Sequence, residues 1–452
     1  MAGDFVHSLQ AYQPHFRSGR HDLIPHARNY LTGLLGLNVR KNIGRIDERS
    51  ANSNYQGMQQ FISDSPWDSA GVMRQIARDA NTLLGGQPDT ALYLDETSFV
   101  KKGEASVGVQ RQYCGRLGKL ENCQVGVFAC LGQGERVALV DFRLFLPASW
   151  AQDAARCRKA KIPETHRQHR TKAELALDLV QQARALGLSH QWIGGDEIYG
   201  NNRPLTHALD DLGEVFLMDI NRNHLLWDRD PLGEVPPAGA GRGRPPVRRV
   251  AHPQAQRRSA AEWAERGFAA GNRLITLRPS TRGPLSAKLW AMPVWQWEPA
   301  EPRARRRWLV VRQEQDDTFK YSLSNAAPEV SWARLGYMQA QRYWIERAFQ
   351  DAKSELGLAD YEVRGWPGWH HHIALVCLAL LFTVQERVAL AQQLPLLTVR
   401  DLVELYEIYL PRRDHNLAEI WAAMEQRHRL RQMAINSARK KPQENPAKPQ
   451  PD

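Results

Sequence analysis

Two aspartates, each placed directly after a short apolar run, constrain this chain more than any other feature. Asp95 stands in Leu-Tyr-Leu-Asp-Glu-Thr and Asp196 in Trp-Ile-Gly-Gly-Asp-Glu-Ile-Tyr-Gly. Both runs read as buried strands. A carboxylate at the end of such a strand points into a site rather than into solvent. A third acidic residue, Glu346, lies far downstream in the stretch from Arg342 to Lys353, Arg-Tyr-Trp-Ile-Glu-Arg-Ala-Phe-Gln-Asp-Ala-Lys. At about 100° per residue, Arg342, Glu346 and Lys353 fall within about 40° of one another on a helix. Trp344, Ile345, Ala348, Phe349, Ala352 and Leu356 take the adjoining side, which suits a helix packed on a sheet. Three carboxylates so placed can hold divalent metal ions. Taken alone, the helix reads more readily as an i,i+4 Arg–Glu pair with a solvated lysine, the commoner arrangement on surface helices.

Apolar spacing predicts helices over residues 5–16, 26–37, 55–62 and 70–84, with Arg40, Lys41, Arg45 and Arg49 adding cations. From residue 91 the pattern changes. Strands are expected at 91–95, 106–113, 122–131 and 136–145, a helix at 172–186, a strand at 191–194, a helix at 203–212 and a strand at 215–219. This is an α/β ordering. Asp196 and Glu346 are separated by far more chain than one strand and one helix require, so a segment is inserted. Residues 225–330 open with a Pro/Gly/Arg stretch and continue with strand-like runs at 273–277, 288–297, 308–313 and 320–323. Trp290, Trp295 and Trp297 could stack on an extruded base, but the alternation at 295 and 297 favours core packing. Residues 368–432 read as helices, and 437–452, rich in Pro, Lys and Gln, as disordered.

The formal charge of +11 suits a polyanionic partner. The five cysteines form no CxxC pair, which argues against a zinc site or a disulfide framework and fits a reducing cytoplasm. The N-terminus lacks a signal-peptide pattern. The apolar run from Ile373 to Val384 is too short to span a bilayer and reads as a buried helix, so no membrane partner is expected. His370, His371 and His372 diverge where they open a helix and are discounted as metal ligands.

The spacing of Arg342, Glu346 and Lys353 resembles the Tyr-x2-Arg-x3-Glu-x6-Lys signature of DDE insertion-sequence transposases, endonucleases of the ribonuclease-H-like superfamily. Gln339 stands at the tyrosine position, a departure. Lys102-Gly103, the segment from Arg111 to Lys119, the Gly-Asp196-Glu-Ile-Tyr199-Gly200 turn and the segment from Gly357 to Trp369 resemble the same proteins. The resemblance covers about residues 20 to 430. It implies an α/β fold: a ribonuclease-H-like catalytic core interrupted by a β-rich insertion, with an N-terminal helical DNA-binding domain and C-terminal helices. The expected boundaries are 1–88 for the DNA-binding domain, or a helical cap in its place, 89–224 and 331–392 for the core, 225–330 for the insertion, 393–436 for the C-terminal helices and 437–452 for the tail.

The resemblance further implies that Asp95, Asp196 and Glu346 are catalytic and hold two Mg²⁺ ions, with Mn²⁺ as a substitute. Arg342 and Lys353 would hold DNA phosphates, with Lys102, Arg364, Arg242 and Arg244 as further DNA contacts. Lys101 also stands close to this set. Glu96 and Glu197, which alternate away from the aspartates, are expected in supporting or surface roles. The implied activity is Mg²⁺-dependent cleavage and joining of double-stranded DNA at the element's own inverted-repeat ends and at a target. The implied assembly is a homodimer on DNA, in the bacterial cytoplasm at the nucleoid. A silent DNA-binding regulator and a metal-dependent endonuclease that does not join ends are the alternatives.

Overall fold

The computed structural model describes residues 8–36, 40–50, 54–236, 247–278, 283–314, 316–410, 413 and 416–440. After helical residues 8–10 come α1 (Ile24–Leu35), α2 (Ile43–Arg49), α3 (Tyr55–Ser63) and α4 (Ser69–Leu84). Side chains of Asn42, Asn54 and Asp68 accept from backbone N–H groups at the starts of α2, α3 and α4, satisfying donors that have no partner within the helix. Within 5–16, the described part is helical at residues 8–10 and passes through a turn into a short 3-10 helix at Gln13–Phe16, with Pro14 among its first residues.

The central sheet begins with β1 (Thr90–Val100), β2 (Gln110–Cys114), β3 (Lys119–Gln133) and β4 (Arg136–Leu144). Helix α5 (Lys172–Ala185), opened by a Thr171/Glu174 capping box, leads to β5 (Trp192–Gly195), and α6 (Arg203–Asp211) leads to β6 (Phe216–Ile220). The strand order is β4-β3-β1-β5-β6. Antiparallel pairing joins β4, β3 and β1, and parallel pairing joins β1, β5 and β6. Strand β1 runs past Asp95 to Val100, because β3 continues to pair with it there. Asp95 therefore sits within a strand and not at its end.

The inserted segment supplies β7 (Leu225–Trp227), β8 (Arg257–Ser259), α7 (Ala260–Gly271), β9 (Arg273–Arg278), β10 (Leu285–Gln296), β11 (Arg305–Gln313) and β12 (Phe319–Ser324). Strand β12 pairs antiparallel with β6, so the insertion extends the core sheet into one 12-stranded sheet. Helix α7 went unread in the sequence, although Ser259 and Glu262 form a capping box at its start. A Cβ on Gly267 of α7 would stand 2.1 Å from the Trp290 ring. That contact, and the burial of Trp290 and Trp297, make these tryptophans core residues.

The chain returns with α8 (Trp332–Gln341), α9 (Tyr343–Ser354), α10 (Trp366–Ala389), α11 (Val399–Tyr409) and α12 (Leu417–Lys440). Helix α12 extends past residue 437, where the tail was expected to begin, and 441–452 lie outside the described residues. By length and composition α10 could cross a membrane, but most of its apolar window is buried inside the protein. It packs on α1, α3, α4 and β4, and its three consecutive histidines face three different partners. His370 bonds the Trp366 carbonyl at 2.8 Å, His371 the Ile62 carbonyl at 3.0 Å, and His372 the Tyr30 hydroxyl at 2.8 Å. His371 and His372 tie the N-terminal helices to α10, His370 bonds within its own helix, and the three do not converge on a metal.

One apolar core runs through α1–α4, the first part of the sheet, α9 and α10. Of the cations read in the N-terminal helices, Lys41 is drawn into this core, while Arg45 and Arg49 make half-exposed ion pairs. Lys41 is buried and bonds the Leu34 and Glu355 carbonyls, Arg45 pairs with Glu48, and Arg49 pairs with Glu407 at 2.7 Å. Charge counted along the sequence does not reveal that Lys41 is buried and bonded to carbonyl groups. All five cysteines are buried and unpaired. Trp67 stacks on His371 at 4.1 Å and donates its indole N–H to the Phe61 carbonyl at 3.1 Å. Trp67→Ala is therefore expected to cost about 3–5 kcal/mol in urea unfolding. A loss below about 1 kcal/mol would mean that these helices dock without supporting the core.

Candidate metal centre and DNA site

Register aligns the carboxylates. Leu94 of β1 pairs with Gly195 of β5, and Gly195 pairs with Met218 of β6. The next residue on each strand is an aspartate: Asp95, Asp196 and Asp219. Parallel strands lie about 4.8 Å apart, so three acidic side chains emerge side by side. Sheet edges of this kind, beyond the carboxyl ends of parallel strands, are where open α/β sheets bind ligands. Asp196 also caps the single turn Glu197–Gly200, accepting from the Ile198 N–H at 2.9 Å. Gly200 ends that turn against β6, where a Cβ would stand 1.9 Å from the Asp219 carbonyl oxygen. Only glycine permits that approach.

Asp219 went unremarked in the sequence. Its signal is the same as that of the other two, an apolar run, Phe-Leu-Met, followed by aspartate. Glu96 is a correction. Strand alternation sends it away from Asp95, yet oxygens of Asp95, Glu96 and Asp196 all lie within 4.8 Å of one another. Strand β5 stops at Gly195, so no strand backbone separates the two faces beyond that point, and the longer glutamate side chain reaches round. Lys172 at 2.7 Å and the Tyr199 hydroxyl at 2.9 Å hold it there. Glu197 is exposed, in keeping with the supporting or surface role expected of it.

Burial pushes Asp95 up to about 8; Arg342 opposes the rise, while Asp196 and Glu96 add to it. Burial likewise raises Asp196 to about 6, helped by Glu96. The donor set is all carboxylate oxygen, the chemistry preferred by Mg²⁺ and Mn²⁺. A divalent cation would offset the crowding of negative charge that these shifts record. The residues present therefore fit such an ion.

Arg342 stands at the junction of α8 and α9 and reaches three carboxylates. Its Nε lies 3.3 Å from Asp219, one terminal nitrogen 3.7 Å from Asp95, and the other 2.7 Å from Glu346. Burial works against its charge, but Asp219, Asp95 and Glu346 together raise its pKa. Glu346 is half exposed and does not join the tight carboxylate group; Arg342 links it to Asp95. The i,i+4 pair read from the helix is thus present, and it belongs to the site. Lys353 is partly buried. It donates to Thr97 Oγ1, two residues beyond Asp95 on β1, and lies 5.9 Å from the Phe99 ring.

The remaining candidates are more scattered. Lys102 is exposed on the loop after β1, and Arg364 is exposed ahead of α10, with its carbonyl accepting from the Val107 N–H at 2.8 Å. Among the described residues, neither bonds the carboxylate group. Lys101 packs over the Tyr361 ring at 3.4 Å, and burial lowers its pKa to about 8; it serves the core rather than the surface. Arg242 and Arg244 lie outside the described residues. A cleft of about 860 Å³ opens beside Asp196, Asp219 and Arg342. The insertion lines it with Phe268, Phe319, Lys320 and Tyr321, and Arg222 joins them from just before the insertion.

A protein of Microchaete diplosiphon described as a probable transposase for insertion sequence element IS701 is 25% identical over 338 residues, covering 73% of this chain and 74% of that one. The NurA nuclease from Sulfolobus solfataricus superposes over 73% of this chain and 94% of its own, at 9% identity and a TM-score of 0.24, too weak a likeness to bear on the fold. Residues 12–282, well over half of the chain and including both Asp95 and Asp196, match the family described as DDE superfamily endonuclease, and the chain belongs to that family.

Proposed function

We propose that this protein is a transposase that cleaves and joins DNA at the inverted-repeat ends of its own insertion sequence, using a metal-binding site on a ribonuclease-H-like core. The observation that carries this reading is the emergence of Asp95 and Asp196 side by side from adjacent parallel strands, with the helix bearing Glu346 linked to them through Arg342. The strand order β4-β3-β1-β5-β6, with its antiparallel then parallel pairing, supports a ribonuclease-H-like core. The description of the Microchaete relative supports transposition as the use of that core.

When bound, two Mg²⁺ ions would activate the attacking oxygen and stabilise the leaving one in an in-line displacement at phosphorus. Asp95 and Asp196 would hold the ions from the sheet. Glu346 would complete the set from α9, and Glu96 would support it from the far side of β5. Arg342 and Lys353 would orient the phosphate, the guanidinium through its fork of donors. Lys102, Arg364 and the basic segment containing Arg242 and Arg244 would track the DNA backbone. Two protomers would pair the two ends, in the bacterial cytoplasm. A silent regulator is the less favoured reading because all three acidic positions are filled. A hydrolytic endonuclease is separated from a transposase by whether a joined product forms.

The test is cleavage of labelled DNA carrying the element's ends in Mg²⁺. Asp95→Asn should abolish cutting and leave end binding unchanged in gel shift, because it removes a ligand and not a phosphate contact. A variant that cuts like the wild type would sink the site. Lys353→Ala should weaken binding and reduce the slope of log K against log salt by about one phosphate contact; an unchanged slope would remove Lys353 from the DNA. The raised pKa values of Asp95 and Asp196 give a third expectation. Ligands must be deprotonated, so Mg²⁺ affinity should rise as pH climbs through about 6 to about 8. The metal-free fold retains protons that the unfolded chain has released. The contribution of Asp95 and Asp196 to its stability should therefore fall from about pH 4 to about pH 8, a slope that Asp95→Asn should reduce. Metal affinity that stays flat over that window would contradict the burial of these groups.

A further inference from the structure

We propose that Asp219 is a positioning residue that holds Arg342, and that Ser322 and Gln339 fix Asp219 for this task. The inference rests on the metal-dependent reading above. Arg342 contacts Asp95 and Glu346, which are also proposed metal ligands. A guanidinium and a divalent cation compete for those oxygens and repel each other at this range. Asp219 lies outside the group formed by Asp95, Glu96 and Asp196, and it meets Arg342 through Nε at 3.3 Å. It therefore offers a carboxylate that can keep the guanidinium when the other two turn to a metal.

The rest of the arrangement holds Asp219 itself. Its other oxygen accepts from the Ser322 hydroxyl at 2.6 Å, and the Ser322 oxygen accepts from the Gln339 amide at 2.8 Å. Ser322 and Gln339 are both buried, and Ser322 faces Asp219 directly in the pairing of β12 with β6. Gln339 sits three residues before Arg342, at the position where the resembled signature has tyrosine. Here it is a buried amide that closes a circuit from α8 through β12 and β6 back to Arg342. The inserted segment thus contributes a hydroxyl to the site.

The test is a double-mutant cycle read as Mn²⁺ affinity of the protein without DNA, by electron paramagnetic resonance of the free ion. Asp219→Asn should weaken Mn²⁺ binding by about 10- to 100-fold, the usual effect of losing a residue that orients a metal site. In an Arg342→Ala background the same change should have no effect, because there is no guanidinium left to hold. Ser322→Ala should shift affinity in the same direction by less, and should also lose its effect once Arg342 is alanine. If Asp219→Asn proves poorly folded in a thermal melt, the Ser322→Ala cycle carries the comparison. Equal losses in both backgrounds would make Asp219 a metal ligand and overturn the proposal. So would an Asp219→Asn protein that binds Mn²⁺ like the wild type. Asp95→Asn serves as the control. If it binds Mn²⁺ as well as the wild type, or if the wild type binds none, the metal centre itself is misassigned and the holding role falls with it.

Discussion

The site depends on the parallel register of β1, β5 and β6, which lines up three aspartates at one level of the sheet. Register converts three separate apolar runs into one acidic row about 4.8 Å per step. The arrangement is unfavourable in itself, since buried carboxylates lose hydration and repel one another. The raised pKa values of Asp95 and Asp196 express that cost. Arg342 offsets part of it by contacting two of the three aspartates and Glu346 at once. The break between α8 and α9 falls at Arg342, so the guanidinium enters the row from the helix that also carries Glu346.

The local pattern of the sequence was enough to locate much of this. Apolar runs ending in aspartate marked β1 and β5, and helical spacing put Arg342, Glu346 and Lys353 near one another. Periodicity reports only neighbours along the chain, however. Strand pairing between β12 and β6 joins residues about a hundred positions apart, and nothing in either strand names its partner. Glu96 was misread because alternation assumes that a neighbouring strand separates the faces, and β5 ends one residue too soon for that. Lys41 was counted among the N-terminal cations and Lys101 set beside the DNA contacts because a charge count is blind to burial; both bond carbonyl groups of the packed interior. Asp219 carried the same mark as Asp95 and Asp196, but no spacing to a third motif drew notice to it.

The inserted strands extend the sheet on the side of β6, while α1–α4 and α10 build the core with the first part of the sheet. A second apolar cluster, around Trp263, Trp290 and Leu309, supports the far end of the insertion. The cleft is lined by Asp196, Asp219 and Arg342 together with Phe319, Lys320 and Tyr321 of the insertion.

Gly200 has a wider consequence. Its missing side chain lets the turn after Asp196 rest against the backbone at Asp219, and Asp219 is bonded through β6 to β12. The edge of the core and the edge of the insertion are therefore one continuous strip of hydrogen-bonded backbone, with no pivot between them. A displacement of β12 would therefore carry β6 and Asp219 with it, and through β5 the level of the acidic row.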